Sequence, residues 1–174
     1  MYKRLLLTRF ALINGAFVAA SLYAYTTGAI SYVLEADTTY ISHGIVALFL
    51  VQLYLSMALA FRLASSLEAP ERTISESQVK VRLGVIFEMS EALVMLGLIG
   101  TVVGFIMVMG SIDPSAVADV SKISSMVSNI GSGMGVALHT TLVGSVFYLW
   151  SRCNIRLLAG AAEKAAAKAR KANG

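Results

Sequence analysis

The chain has 174 residues, of which 57% are hydrophobic and only 14% charged, and its mean hydropathy is +0.74. A soluble domain carries about 25% charge, so this balance excludes one and indicates an integral membrane protein. The net charge of +4 and the pI near 9.3 come from cations that border apolar stretches instead of clustering on one soluble face, which argues against nucleic-acid binding.

Four stretches contain no Asp, Glu, Lys or Arg: Phe10 to Leu34, Thr38 to Phe61, Ala92 to Ile112 and Ile123 to Ser151. Each exceeds the ~20 residues that a spanning helix needs, so the expected fold class is an all-α integral membrane protein with four transmembrane helices. Residues 1–63 read as an outer hairpin with spans at about 10–34 and 38–61, joined by a short loop that Tyr32 and Tyr40 bracket as interfacial anchors. The first apolar stretch is longer than the roughly 7–15 residues of a signal-peptide core, so it is read as a true span. His43 falls near the outer end of the second span and reads as interfacial.

Residues 64–91 read as a short cytoplasmic loop, with Pro70 as a break and a polar run, Glu71 to Arg82, able to extend the third helix downward. Residues 92–151 form a second hairpin with spans at about 92–112 and 130–151. In its outer loop Asp113 fits an N-cap and Pro114 the first helical position, which predicts a short amphipathic helix on the outer surface. Gly131, Gly133 and Gly135 follow, where the chain turns inward or packs tightly, and Tyr148 and Trp150 mark the inner interface. Residues 152–174 read as a basic helical cytoplasmic tail resting near anionic headgroups. Cys153 is the single cysteine, so no internal disulfide and no thiolate metal site is expected.

Cations set the orientation, because Lys and Arg stay on the cytoplasmic side of short loops. With both termini inside, all of the 14 Lys and Arg except Lys122 are cytoplasmic, and the outer loops carry Glu35, Asp37, Asp113 and Asp119. The N-in, C-in arrangement follows.

Two polar side chains stand out in the second hairpin. Thr101 lies ten residues beyond Glu91 and Thr141 eleven before Arg152, about 15 and 16 Å at the helical rise, so both sit at nearly one level in mid-membrane. Gly97, Thr101, Gly104 and Val108 share one stripe, and Gly100 with Gly104 makes a small-xxx-small pair; with Gly144 these glycines predict close helix packing or the lining of a narrow passage. A membrane threonine also commonly returns its hydroxyl to its own backbone, which is the structural alternative to lining a path. His139 lies about 200° around the helix from Thr141 and reads either as a hydrogen-bonded structural histidine or as a proton relay. Glu88 and Glu91, three residues apart at the inner end of the third span, read either as solvated interfacial carboxylates or as an acidic ring at a cytoplasmic pore mouth.

The segments Leu96-Gly97-Leu98-Ile99-Gly100-Thr101-Val102-Val103-Gly104 and Gly135-Val136-Ala137-Leu138, with Thr141 and Gly144, resemble the LGLLGTVxG and GxxxAL-x-x-T-x-x-G patterns of the MotA/TolQ/ExbB proton-channel family. The resemblance covers the last two spans, roughly a third of the chain. It implies a homopentamer around two copies of a MotB/TolR/ExbD-like single-span partner whose membrane aspartate takes and releases the ion, with Thr101 and Thr141 lining the path. It also implies a bacterial inner (cytoplasmic) membrane location. The large cytoplasmic regions of flagellar stators and TolQ-like proteins have no counterpart here, which disfavours a flagellar torque role. The transported ion reads as a proton, with sodium left open, and no cofactor and no metal is expected. Two other functions stay in view: a small four-helix exporter, which would need a membrane carboxylate that these spans lack, and a non-catalytic scaffold or holin, which would need no matched polar pair. An enzyme is not expected, since His43, His139, Cys153 and the outer aspartates do not converge in a simple four-helix packing.

Overall fold

Hydrocarbon offers a backbone no water to bond with, so a chain this apolar satisfies its amides within helices. The computed structural model describes residues 2–37, 39–66, 76–112 and 120–173, and among them every regular element is a helix: α1 (Tyr2–Thr26), α2 (Ala29–Ala36), α3 (Ile41–Ser66), α4 (Glu76–Gly110) and α5 (Val120–Asn173). Four helices are long and apolar enough to cross a membrane, over Arg4–Thr26, Ile41–Ser66, Ser77–Gly110 and Lys122–Lys168.

Three expected boundaries change. The first span does not run through to Leu34. α1 ends at Thr26, where Gly28 adopts φ 76° and the hydroxyls of Thr26 and Thr27 return to the carbonyls of Tyr23 and Ala24 at 2.8 and 3.1 Å. Apolar length alone does not register such a left-handed glycine, which only a residue without Cβ adopts freely. The loop expected over 64–91 is shorter: α3 continues to Ser66, and α4 starts at Glu76 and takes in most of the polar run, the downward extension of the third helix that the sequence suggested. The fourth span is part of one 54-residue helix that begins at Val120 and passes through Gly131, Gly133 and Gly135 without a break. The surface helix expected from Asp113 and Pro114 lies mostly outside the described residues.

α4 and α5 form a long antiparallel hairpin in constant register. Gly104 faces Gly133 and Ala137, Gly97 faces Thr140 and Thr141, and farther along Phe87 faces Arg152, whose guanidinium lies 5.0 Å over the phenyl ring. α3 and α1 pack onto this hairpin toward the basic end. One cluster of buried side chains there joins Leu6 and Phe10 of α1, Leu59 and Leu63 of α3, Ile86 of α4 and Leu158 of α5. A second, nearer mid-membrane, gathers Ile45 and Phe49 of α3, Leu93 of α4 and Trp150 of α5. Phe17 stacks on Trp150 at 4.8 Å and Phe49 on Phe147 at 4.3 Å.

Two sets of buried or half-buried amides fasten the helices across these clusters. The Asn14 side chain of α1 donates to Asn154 Oδ1 at 3.0 Å and accepts from Trp150 Nε1 at 2.8 Å and Asn154 Nδ2 at 3.1 Å. Gln52 of α3 donates to the Ile86 carbonyl of α4 at 3.0 Å and accepts from the Ser151 hydroxyl of α5 at 2.8 Å. In a low-dielectric setting a satisfied amide of this kind fixes one packing, because any other leaves it without partners.

Before α3, the buried Asp37 carboxylate accepts from the Ser42 backbone N–H at 2.6 Å and from the Thr39 hydroxyl and N–H at 2.6 and 3.0 Å. It thereby serves an amide donor that the first turn of a helix leaves unpaired. Burial alone would raise the Asp37 pKa, but the hydrogen bonds from Thr39 and Ser42 outweigh it and hold the carboxyl below its ordinary value.

Candidate functional site

The α4–α5 seam is narrow because small residues meet there. A Cβ on Gly104 would stand 2.5 Å from the Gly133 carbonyl oxygen and 2.6 Å from the Ala137 nitrogen, and one on Gly144 would stand 2.6 Å from the Leu93 carbonyl oxygen. Both positions are therefore backbone-to-backbone contacts that only glycine permits. Between them lie Gly97 and Gly100, the latter directly under the buried side chain of Thr140.

Within this bracket the structure brings Thr101 and Thr141 together. Their hydroxyls share a hydrogen bond. The Thr101 hydroxyl also lies 3.2 Å from the Gly97 carbonyl of its own helix and 3.2 Å from the Ala137 carbonyl of α5, and the Thr141 hydroxyl lies 3.1 Å from the Gly97 carbonyl. Two hydroxyl protons thus have two carbonyls and each other as acceptors, so the bonding can be exchanged by rotating O–H groups without moving a helix. Thr140 differs from its neighbour: it is fully buried and returns its hydroxyl to the Val136 carbonyl at 2.8 Å, the local back-bond of a structural threonine.

Thr101 is half-buried and borders an open groove that runs along α4 away from the basic end, lined by Val102, Phe105, Ile106, Met109 and Gly110. On α5, Met134, Leu138 and Leu142 are exposed as well. The polar pair is thus reached across an apolar surface.

The other sequence-predicted residues stand apart from the pair. His139 is half-buried near Gly135, whose added Cβ would lie 3.9 Å from Nδ1, and it takes no part in the hydrogen bonds of Thr101 and Thr141. Glu88 and Glu91 are exposed, about 20 and 15 Å along α4 from Thr101 at the helical rise. Arg152, lying against Phe87 beside Glu88, brings a positive charge to the same level. Among the described residues no three His, Cys, Asp or Glu side chains gather as metal ligands would.

Gly133 packs tightly against α4, as expected, but sequence reasoning passed over Thr140 and the amides Asn14, Gln52 and Asn154. An Asn or Gln inside an otherwise apolar span is itself the signal, since such a group is costly in hydrocarbon unless paired.

No curated protein and no solved structure matches the chain. A family model does, described as the MotA/TolQ/ExbB proton channel family, over residues 61–170. That match begins near the end of α3 and runs through the basic stretch of α5, well beyond the two spans that carry the motifs. It covers more than half of the chain and contains the whole α4–α5 seam with its paired threonines, and the chain belongs to the MotA/TolQ/ExbB proton channel family.

Proposed function

We propose that this protein is the proton-conducting subunit of an ion-driven motor of the bacterial inner membrane. In this reading five copies surround two copies of a MotB/TolR/ExbD-like single-span protein, and proton flow past the threonines drives rotation or other mechanical work in that partner. The observation that carries the reading is the Thr101–Thr141 pair, two hydroxyls joined at mid-membrane and bordered by an open apolar groove. A hydroxyl both donates and accepts, so Thr101 is suited to bond a carboxylate when it is charged and to accept from it when it is protonated. No carboxylate lies deep in any span, Glu88 and Glu91 standing near the inner end of the third, which fits a design in which the titrating acid arrives on another polypeptide. The same absence weighs against the exporter. Both termini face the cytoplasm in this reading, which sets Glu88 and Glu91 at the inner mouth, where oligomeric symmetry would multiply their charge. In this reading His139 stands outside the hydrogen bonds of the pair and serves as a structural histidine.

The test is purification with the product of a neighbouring gene and native mass spectrometry of the complex, followed by proton flux in liposomes. Five copies with two of a short single-span protein bearing a membrane Asp are expected. Thr101→Val or Thr141→Val, each close in shape but without a hydroxyl, should abolish coupled flux and leave the stoichiometry unchanged, while Thr→Ser at either position retains flux. A lone oligomer with no partner would remove the motor, and wild-type flux in both valine variants would remove the threonines. Flux that requires sodium would reassign the ion.

A further inference from the structure

Beside the ion pathway and independent of it, α1 and the basic stretch of α5 enclose a cleft. Arg9 of α1 and Arg156 and Lys164 of α5 surround it, over an apolar floor that includes Leu5, Leu157 and Gly160. All three cations are exposed, and among the described residues no carboxylate lines the cleft with them. Its depth is set by the sequence: Arg9 is the last cation before the charge-free stretch of α1, and Arg156 lies one turn beyond Arg152, the first cation after that of α5. The cleft therefore opens at about the level where hydrocarbon gives way to headgroups and runs from there away from the apolar stretches.

We infer that this cleft is a binding site for an anionic phospholipid of the cation-rich leaflet. Two guanidiniums and an ammonium suit phosphate oxygens, with the arginines able to bond them in bidentate fashion. On the hydrocarbon side of the cations, exposed Leu12 lies one turn beyond Arg9 on the same face of α1, inside its charge-free stretch, and offers the upper part of an acyl chain an apolar surface that a free phosphate or a nucleotide would not use. Basic clefts between helix ends at a membrane surface commonly take acidic headgroups. Because the cleft joins α1 to α5, bound lipid would tie the outer hairpin to the long helix at the membrane boundary.

The experiment is native mass spectrometry of the intact complex in mild detergent titrated with phosphatidylglycerol or phosphatidylcholine. Wild type should retain phosphatidylglycerol in preference, and Arg9→Gln, Arg156→Gln and Lys164→Gln should each weaken that preference about fivefold and together about a hundredfold. Because these side chains are exposed, the variants should assemble as wild type does, read by elution volume. Arg62→Gln with Arg82→Gln removes cations from a different cleft and should leave the preference intact. Equal retention of the two lipids, or a preference that survives the triple substitution or falls as far in the Arg62/Arg82 pair, would overturn the site. Displacement of phosphatidylglycerol by millimolar inorganic phosphate would overturn the lipid in favour of a free anion. None of these readouts depends on ion flow or on the single-span partner, so the lipid site and the motor can fail separately.

Discussion

Replacing Gly104 with alanine tests whether the α4–α5 seam is as tight as the backbone contacts indicate. The added methyl would lie 2.5 Å from the Gly133 carbonyl oxygen, 2.6 Å from the Ala137 nitrogen and 2.7 Å from the Ala137 Cβ. Ordinary van der Waals separation is about 3.5–4.0 Å for carbon pairs and the obstructing atoms are mostly main chain, so no rotamer change relieves the clash and the helices must part. Overpacking of this kind costs about 1–3 kcal/mol. Alanine is also the better helix former by about 1 kcal/mol, which would mask part of the loss. Gly84→Ala removes that ambiguity, because Gly84 lies on the same helix and an added Cβ there meets nothing within 4 Å. The propensity gain is common to both variants, so the difference between them isolates the clash, and Gly104→Ala should be the less stable by about 1–3 kcal/mol. Thermal unfolding in one detergent measures it, at roughly 2–4 °C per kcal/mol for a chain of this length. Two variants that melt within a degree of each other would refute the packing argument, and the bracketed geometry of the threonine pair with it.

Other consequences follow from the buried polar groups. Gln52→Leu leaves the Ser151 hydroxyl buried without its partner and should destabilise the protein by about 0.6–1.7 kcal/mol, whereas Gln52→Leu combined with Ser151→Ala removes both groups and should recover most of it; additive losses in unfolding experiments would show that the two do not interact. Asp37 titrates below its ordinary 3.8 in the folded protein, so its contribution is fully present above that value and is lost as pH falls through the lower folded pKa. Asp37→Asn keeps an acceptor oxygen but loses the charge, so it should melt below wild type at pH 7 by about 0.3–1 kcal/mol, and the gap should narrow as pH falls below 3.8; a gap that is constant with pH would assign the effect to something other than the charge.

The four spans were legible because a charge-free stretch of adequate length has few other uses, and each of the four long helices contains one such stretch or most of it. Where helices stop was less legible. Gly28 ends α1 through a left-handed conformation that hydropathy does not register, whereas the continuation of α4 and α5 past their apolar parts was legible, because polar helix formers such as Glu76–Arg82 and the Ala-Lys tail continue a helix in water as readily as in lipid. At the site, the common level of Thr101 and Thr141 could be counted from charges at one end of both spans, since helical rise is fixed. Their hydrogen bond also needed the rotation of each helix, which the stripe of Gly97, Thr101 and Gly104 supplied for α4. The amide fastenings were not derivable in the same way: Asn14 and Asn154 stand 140 positions apart, and nothing local in either segment names the other. Sequence could flag the cost of each amide but not its partner.

The arrangement of these fastenings bears on which part of the subunit can move. The threonine pair lies between two backbone contacts, Gly104 against Gly133 on one side and Gly144 against Leu93 on the other, while Gln52 and Asn14 tie α3 and α1 to α5 nearer its basic end. Sliding α4 along α5 would break glycine contacts that fit in one register only, and packed seams of this kind resist continuous deformation. An O–H rotation at Thr101 exchanges one acceptor for another and breaks none of them. Under the proposed function, each transfer then involves a hydroxyl rotor and the partner's side chain, with α4 and α5 moving as one body. Hydrogen exchange on the reconstituted complex tests this: amides of residues 97–104 and 137–144 should be among the slowest in the chain, at the same rate with and without a proton gradient. Faster exchange in those two segments under load would place the working motion inside the subunit and contradict the rigid seam.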